Sequence, residues 1–298
     1  MAIIQNYSKL FVVHNSKRLR RTITLIVALT SFIMLVKTMP DTTEFTPSLL
    51  SNNLARYRSP ADAFYPNIAL LVEFRAVDHI ISIVHNVNHH IPASWPIQIL
   101  HGKDNEHFIR NSTLAPLIET GKVFLTLMNE TFNPVDVNHL LTNASFWKCV
   151  RGEKILFFQI DSVMCSNSRH KITDFLKYDY IGAPWSLTWY GFNKNYSVGN
   201  GGFSLRTRSK ILALLALVPY NKSMPEDVWY AHNMHRVNGL IPPVEIAKTF
   251  AVESVYYDRP LGVHKSGWTP QFRAKLASTC PESMLITPKG MEKTMVVT

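Results

Sequence analysis

The sequence contains no zinc pattern. Its three cysteines, Cys149, Cys165 and Cys280, form no C-x-x-C pair, and their odd number leaves at least one unpaired within a monomer. One disulfide is compatible with them, but spacing does not choose the pair, and free buried thiols are an equal reading. Acidic residues are missing from the first 40 positions, which hold Lys9, Lys17, Arg18, Arg20, Arg21 and Lys37. Those six cations carry most of the formal charge of +10, so the rest of the chain is left with +4. A balance this even, with no basic stripe to track phosphates, excludes a nucleic-acid partner. Composition also excludes a disordered or repetitive chain, because 46% of the 298 residues are hydrophobic and 17% charged. The length suits one domain of roughly 230 residues plus extensions.

Between Arg21 and Lys37 runs TITLIVALTSFIMLV, which has no charge. It is short against a hydrocarbon core of about 30 Å, yet thinner bilayers and snorkelling cations accommodate it. The cation excess before it predicts a single-pass type II arrangement. Residues 1–21 would form a cytosolic tail, 22–37 a transmembrane signal-anchor and 38–66 a stem carrying Pro40, Pro47, Pro60 and Pro66. A lumenal domain over 67–275 and a C-terminal tail over 276–298 would follow, in the Golgi or ER membrane. A cleaved signal peptide, which would give a secreted protein, lacks an A-x-A-like site. A mitochondrial transit peptide conflicts with sequons at Asn111, Asn129, Asn143, Asn195 and Asn221.

Beyond the stem the pattern alternates. Residues 67–74, 96–102, 121–128 and 153–162 read as strands, and 78–90 and 135–150 as helices. This predicts an α/β fold with a mostly parallel sheet and helices on both faces. Such sheets bind ligands beyond the carboxyl ends of their strands, which points to Glu73–Arg75 and Gln159–Ser162. The second half is turn-rich and aromatic, with Trp185, Trp189, Tyr190, Phe192, Trp229 and Trp268, and suits an acceptor-binding half after a donor-binding half.

Several side chains in these segments have two readings. Asp161, in FFQIDS, is placed to hold a divalent cation at a strand tip, or simply to cap a turn. Gly201 and Gly202, in SVGNGGFSLRTRS, form a plain β-turn or let backbone approach a sugar. Ser223 and Glu226 have capping-box spacing, which accounts for Glu226 but not for Asp227. His264 and Lys265, in RPLGVHKSGW, are solvated loop residues by default, and Arg75 a residue that starts the next helix. The tryptophans are core residues by default, and sugar platforms otherwise.

Taken together, the segments resemble a known class. QIDS resembles the D-x-D signature of GT-A glycosyltransferases, with Gln159 in place of the first Asp. GGFSLR resembles the G-G-x-x-x-S/R segment of β-1,3-galactosyltransferase and fringe-like families, and Glu226-Asp227-Val228 is identical to their E-D-V motif. The order strand-tip acid, glycines, acidic pair and late His is also theirs. Residues 67–268 further look like an uncharacterised domain family sharing Q-x-D-S, Y-D-Y-I-G-A-P-W (178–185), G-N-G-G-x-S-L-R and E-D-V. The resemblance implies a GT-A-like, Rossmann-like fold and transfer of a sugar, most simply from a UDP-sugar, to a hydroxyl of a glycan, glycoprotein or glycolipid. It implies Asp161 and His264 as ligands of Mn²⁺ or Mg²⁺, and Glu73, Arg75, Asp161, Gly201, Gly202 and Lys265 around the nucleotide sugar. Asp227, or else Glu226, would be the base of an inverting reaction. The substitution at Gln159 also fits an inactive glycan-binding or structural lumenal protein on the same fold.

Overall fold

Continuous apolar runs set the main sheet. The computed structural model describes residues 63–128, 137–186, 197–265 and 269–286. The expected tail, signal-anchor and nearly all of the stem lie outside the described residues, as do Asn129, Trp189, Tyr190, Phe192, Asn195 and Trp268. Among the described residues no helix is long and apolar enough to cross a membrane. Strands β1 (Tyr65–Val72), β2 (Ile97–His101), β3 (Val123–Leu127) and β4 (Gly152–Phe158) run parallel. Between β4 and the next sheet strands lies the short β5 (Ser162–Met164). Strand β6 (Tyr180–Gly182) and β7 (Phe203–Thr207) complete the sheet in the order β3-β2-β1-β4-β7-β6, with β7 antiparallel to both neighbours. A second sheet, β5-β9-β8, is built from β5, β8 (Ala251–Val252) and β9 (Gly262–His264).

Both faces of the main sheet are covered, which is why its strands carry apolar residues without alternation. Ala69, Leu71, Leu156 and Phe158 pack with Ile80, Ile83, Val84 and Val87 of α1 (His79–His90). The opposite face, with Ile68, Leu70, Ile155 and Phe157, packs against other helices. On the β2–β3 side lie α2 (Glu106–Arg110) and α3 (Ala115–Glu119). The expected helix over 135–150 is two helices, α4 (Val137–Leu141) and α5 (Ala144–Cys149). Asn143 is extended, and its side chain accepts from the Ser145 N–H at 2.8 Å, so it ends one helix and caps the next.

After β7 come α6 (Arg208–Leu217), α7 (Glu226–Asn233), α8 (Val244–Phe250) and α9 (Pro270–Thr279). The boundary drawn at residue 275 cuts through α9. Leu276, Cys280 and Ile286 are buried in the same cluster as β1 and α1, so the packed chain continues through Ile286. Cys165 and Cys280 form a disulfide, and Cys149 is free and exposed, which settles a pairing that spacing left open.

Candidate functional site

The carboxyl ends of β1 and β4 open onto a cavity of about 340 Å³, lined among others by Glu73, Phe74, Arg75, Gln159 and Asp161. Helix α4 contributes Val137 and Leu140 to its wall. Glu73 is buried, and its Oε1 accepts from the Arg75 N–H at 2.9 Å and Arg75 Nε at 2.8 Å, while Oε2 accepts from Nη2 at 2.7 Å. Burial pushes the Glu73 carboxyl up, but its bonds to Arg75 and Phe74 more than offset this and hold it below the usual Glu value. Arg75 does not start a helix. It stays 60% exposed with its guanidinium held in place, a form that suits a planar or anionic ligand. Asn105 fixes the turn from beneath, donating to Glu73 O at 2.8 Å and Arg75 O at 3.2 Å.

Asp161 stands in the turn after β4 rather than on the strand. Antiparallel pairing of β5 with β9 sets Ser162 opposite His264, and the Lys265 N–H donates to Asp161 O at 2.8 Å. His264 is therefore a buried strand residue, only 4% exposed, not a solvated loop residue. Its Nε2 lies 3.4 Å from Asp161 Oδ1 and its Nδ1 3.5 Å from Glu253 Oε1, and neither nitrogen has a hydrogen-bond partner. Burial pushes the Asp161 carboxyl up, while His264 and Lys265 beside it bring it below the usual Asp value. Lys265 is engaged elsewhere, its Nζ donating to Glu253 Oε1 at 3.1 Å. Among the described residues no three His, Cys, Asp or Glu side chains converge as a metal cage. The pair of the Asp161 carboxylate and the orphaned His264 Nε2, 3.4 Å apart, is nevertheless a donor set of the kind that divalent cations accept.

The two glycines join this pair to the acidic pair. A Cβ on Gly202 would lie 2.0 Å from His264 Nε2, and one on Gly201 would lie 2.6 Å from Glu226 Oε1 and 3.0 Å from Asp227 Cβ. Neither glycine has a positive φ, and β7 pairs with β4 and β6 rather than across a two-residue hairpin. Space without a Cβ is needed here for protein side chains: His264 on one side, the acids on the other. The Gly202 carbonyl accepts from the Gln159 N–H at 2.9 Å, which ties the segment to the end of β4.

Glu226 and Asp227 have diverging roles. Glu226 is buried and faces Arg206 at 3.2 and 3.3 Å, so it is committed to that pair and not free to act as a base. Arg206 is fully buried, with Phe157, Tyr180, Tyr230 and Trp147 at 4.9, 5.2, 5.5 and 5.6 Å from its guanidinium carbon. Burial pushes Glu226 well above its usual range, even though Arg206 pulls it down. The capping box does not form: Pro225 is the N-cap, and Ser223 Oγ donates to Asn221 Oδ1 at 2.7 Å. Asp227 is part-exposed and accepts from the Gly201 N–H at 3.0 Å and its neighbour Val228 N–H at 2.8 Å. Burial raises its pKa despite those two bonds, which suits a general base. A second cavity of about 420 Å³ lies on the other side of α4, between Asn138, Tyr220, Lys222 and Pro225.

Glu253 and Asn105 were not singled out by sequence, and Arg206 entered only as the last residue of GGFSLR, without a role of its own. The signal for a buried role at Arg206 is its place two residues after Ser204 on a strand buried along its whole length.

Solved structures that align with the chain include the glycosyltransferase GlyE of Streptococcus pneumoniae TIGR4, at 13% identity and a TM-score of 0.44, over 77% of this chain and 64% of that one. TarS 1–349 of S. aureus aligns at 8% identity and 0.45, over 76% and 67%, and has also been solved with UDP-GlcNAc. The mannosyltransferase PcManGT of Pyrobaculum calidifontis, in complex with GDP-Man and Mn²⁺, aligns at 11% identity and 0.44, over 78% and 69%. This chain spans under two thirds of the length of the GlyE structure. No curated protein matches the sequence. Residues 124–264, which include Asp161, both glycines, Asp227 and His264, match the family described as "Protein of unknown function (DUF5672)".

Proposed function

We propose that the protein is a glycosyltransferase that moves a sugar from a nucleotide sugar, preferentially a UDP-sugar, to a hydroxyl of a glycan, glycoprotein or glycolipid. The observation that carries this reading is the unbroken contact path Asp227–Gly201–Gly202–His264–Asp161, which ends at the cavity holding Glu73 and Arg75. Arg75 would contact the nucleoside, and Asp161 and His264 would hold Mn²⁺ or Mg²⁺. That cation, when bound, neutralises the diphosphate as it leaves. Asp227 would take the proton of the acceptor hydroxyl while its oxygen bonds to the anomeric carbon and the bond to the diphosphate breaks. Displacement of this kind inverts the anomeric centre. The charge-free segment at 22–36 supports a type II membrane enzyme with this domain in the Golgi or ER lumen.

A second reading, a glycan-binding protein without turnover, is favoured by Gln159, a neutral side chain at the cavity edge where a second carboxylate would strengthen cation binding. The deciding experiment incubates residues 40–298 with a panel of nucleotide sugars and Mn²⁺ and measures nucleoside diphosphate release. Release that disappears in Asp161→Ala and Asp227→Ala supports the transferase. Sugar-dependent thermal stabilisation without release supports the binding protein.

A further inference from the structure

We propose that Glu253 is a positioning residue that orients the His264 ring, so that its Nε2 lone pair faces Asp161 and the donor diphosphate. The proposal rests on the transferase reading above for the ligand, but not for the orientation itself.

Glu253 is 4% exposed and follows β8 directly. Its Oε2 accepts from Asn200 Nδ2 at 2.7 Å, and its Oε1 accepts from Lys265 Nζ at 3.1 Å and lies 3.5 Å from His264 Nδ1. Asn200 in turn accepts from the Gly202 N–H at 3.2 Å, and Gly202 is the residue packed on the His264 ring. Glu253 thus touches the ring directly and also braces the backbone behind it. Lys265 reaches Glu253 from a left-handed backbone conformation, φ +59°, that is uncommon for a residue other than glycine.

A carboxylate stands at each nitrogen of His264, so two tautomers compete. A proton on Nδ1, facing Glu253, leaves Nε2 as a bare lone pair beside Asp161. A proton on Nε2 blocks that position. The two carboxylates are not equivalent: the Asp161 side chain is 44% exposed, whereas that of Glu253 is buried and held by two donors. Glu253 is thus the fixed one of the two, and a carboxylate held in place beside one ring nitrogen is what orients a histidine that binds a cation through the other. Neither nitrogen of His264 has a hydrogen-bond partner, so the ring is bracketed by the two carboxylates with no bond closed.

Imidazole ¹⁵N spectra of the wild type, with the His264 signal assigned by H264N, are expected to show the Nδ1–H tautomer. Glu253→Gln, whose amide oxygen still accepts, should keep it, and Glu253→Ala should move the proton to Nε2. Mn²⁺ alone, titrated and followed by electron paramagnetic resonance, should bind about 10–100-fold more weakly to E253A and nearly normally to E253Q. An Nε2–H tautomer in the wild type overturns the proposal, and this readout stands even if E253A fails to fold. So does a folded E253A with wild-type tautomer and wild-type Mn²⁺ affinity. The predicted tautomer with no Mn²⁺ binding by any form would sink the metal assignment and uphold the hold of Glu253 on the ring.

Discussion

Two buried polar clusters flank Gly201 and Gly202, and they are built on opposite principles. On one side Arg206 is saturated: Glu226, Ser204 and the Gly201 carbonyl accept its N–H groups, and four aromatic rings enclose it. On the other side His264 is bracketed by Asp161 and Glu253 with neither contact closed. A buried group left unpaired is costly, whereas a paired one is close to neutral. The saturated cluster therefore acts as scaffold, and under the transferase reading the unsaturated one is where a ligand would repay the missing bonds. The same rule separates two sequence neighbours, Glu226 on the scaffold side and Asp227 on the site side.

Perturbation should break this comparison in graded steps. Glu226→Ala would leave Arg206 buried without its charge partner, and a loss of about 3–5 kcal/mol is expected in urea denaturation. A variant as stable as the wild type would end the scaffold assignment. Asp227→Asn, whose single amide oxygen keeps only one of the two backbone bonds, should cost only about 1 kcal/mol while lowering kcat/KM for sugar transfer about 10²–10⁴-fold. Gly202→Ala tests the seam between the clusters. Its new methyl must displace the His264 ring or the backbone, so turnover should fall about 10²-fold with about 1–3 kcal/mol of destabilisation.

The smallest effect is the most diagnostic. As the proposed base Asp227 would work only when deprotonated, and burial raises its pKa, so activity should fall as pH drops through a value above the ordinary Asp pKa of about 3.9. Stability should move the other way. A carboxyl with a raised folded pKa stabilises fully below its unfolded pKa, and that contribution is lost as pH rises to the folded value. Activity rising and stability falling over one pH window, both altered in D227N, would support the assignment; parallel slopes would refute it.

Sequence made the scaffold legible where burial is two-sided. The runs Ile68–Leu71 in β1 and Ile155–Phe158 in β4 carry buried apolar side chains to both faces, which only a strand covered on both sides hides. The order of Asp161, the glycines, Asp227 and His264 was also legible, because each sits in a short patterned segment. The break at Asn143 was not, since apolar periodicity continues across it and only the cap interrupts the helix. Nor was Glu253. Its bond to Asn200 joins residues 53 positions apart, and β8 has only two residues, too few to show a period. His264 was misread as a loop residue for a similar reason, lying in a strand of three.

The bond between Cys165 and Cys280 spans 115 residues of chain, and that distance bears on how the protein is made. At a synthesis rate of about 5–20 residues per second, Cys165 waits on the order of ten seconds before its partner exists. Cys149, exposed in the finished fold and only 16 positions upstream, is present throughout that interval. Loop closure favours the nearer thiol by about 1.7 kcal/mol in an unfolded chain. If the chain is made in an oxidising compartment, as the proposed topology requires, the nearer thiol would pair first and the native bond would then need exchange. Cys149→Ser should shorten that passage and raise the yield of oxidised protein without touching the site.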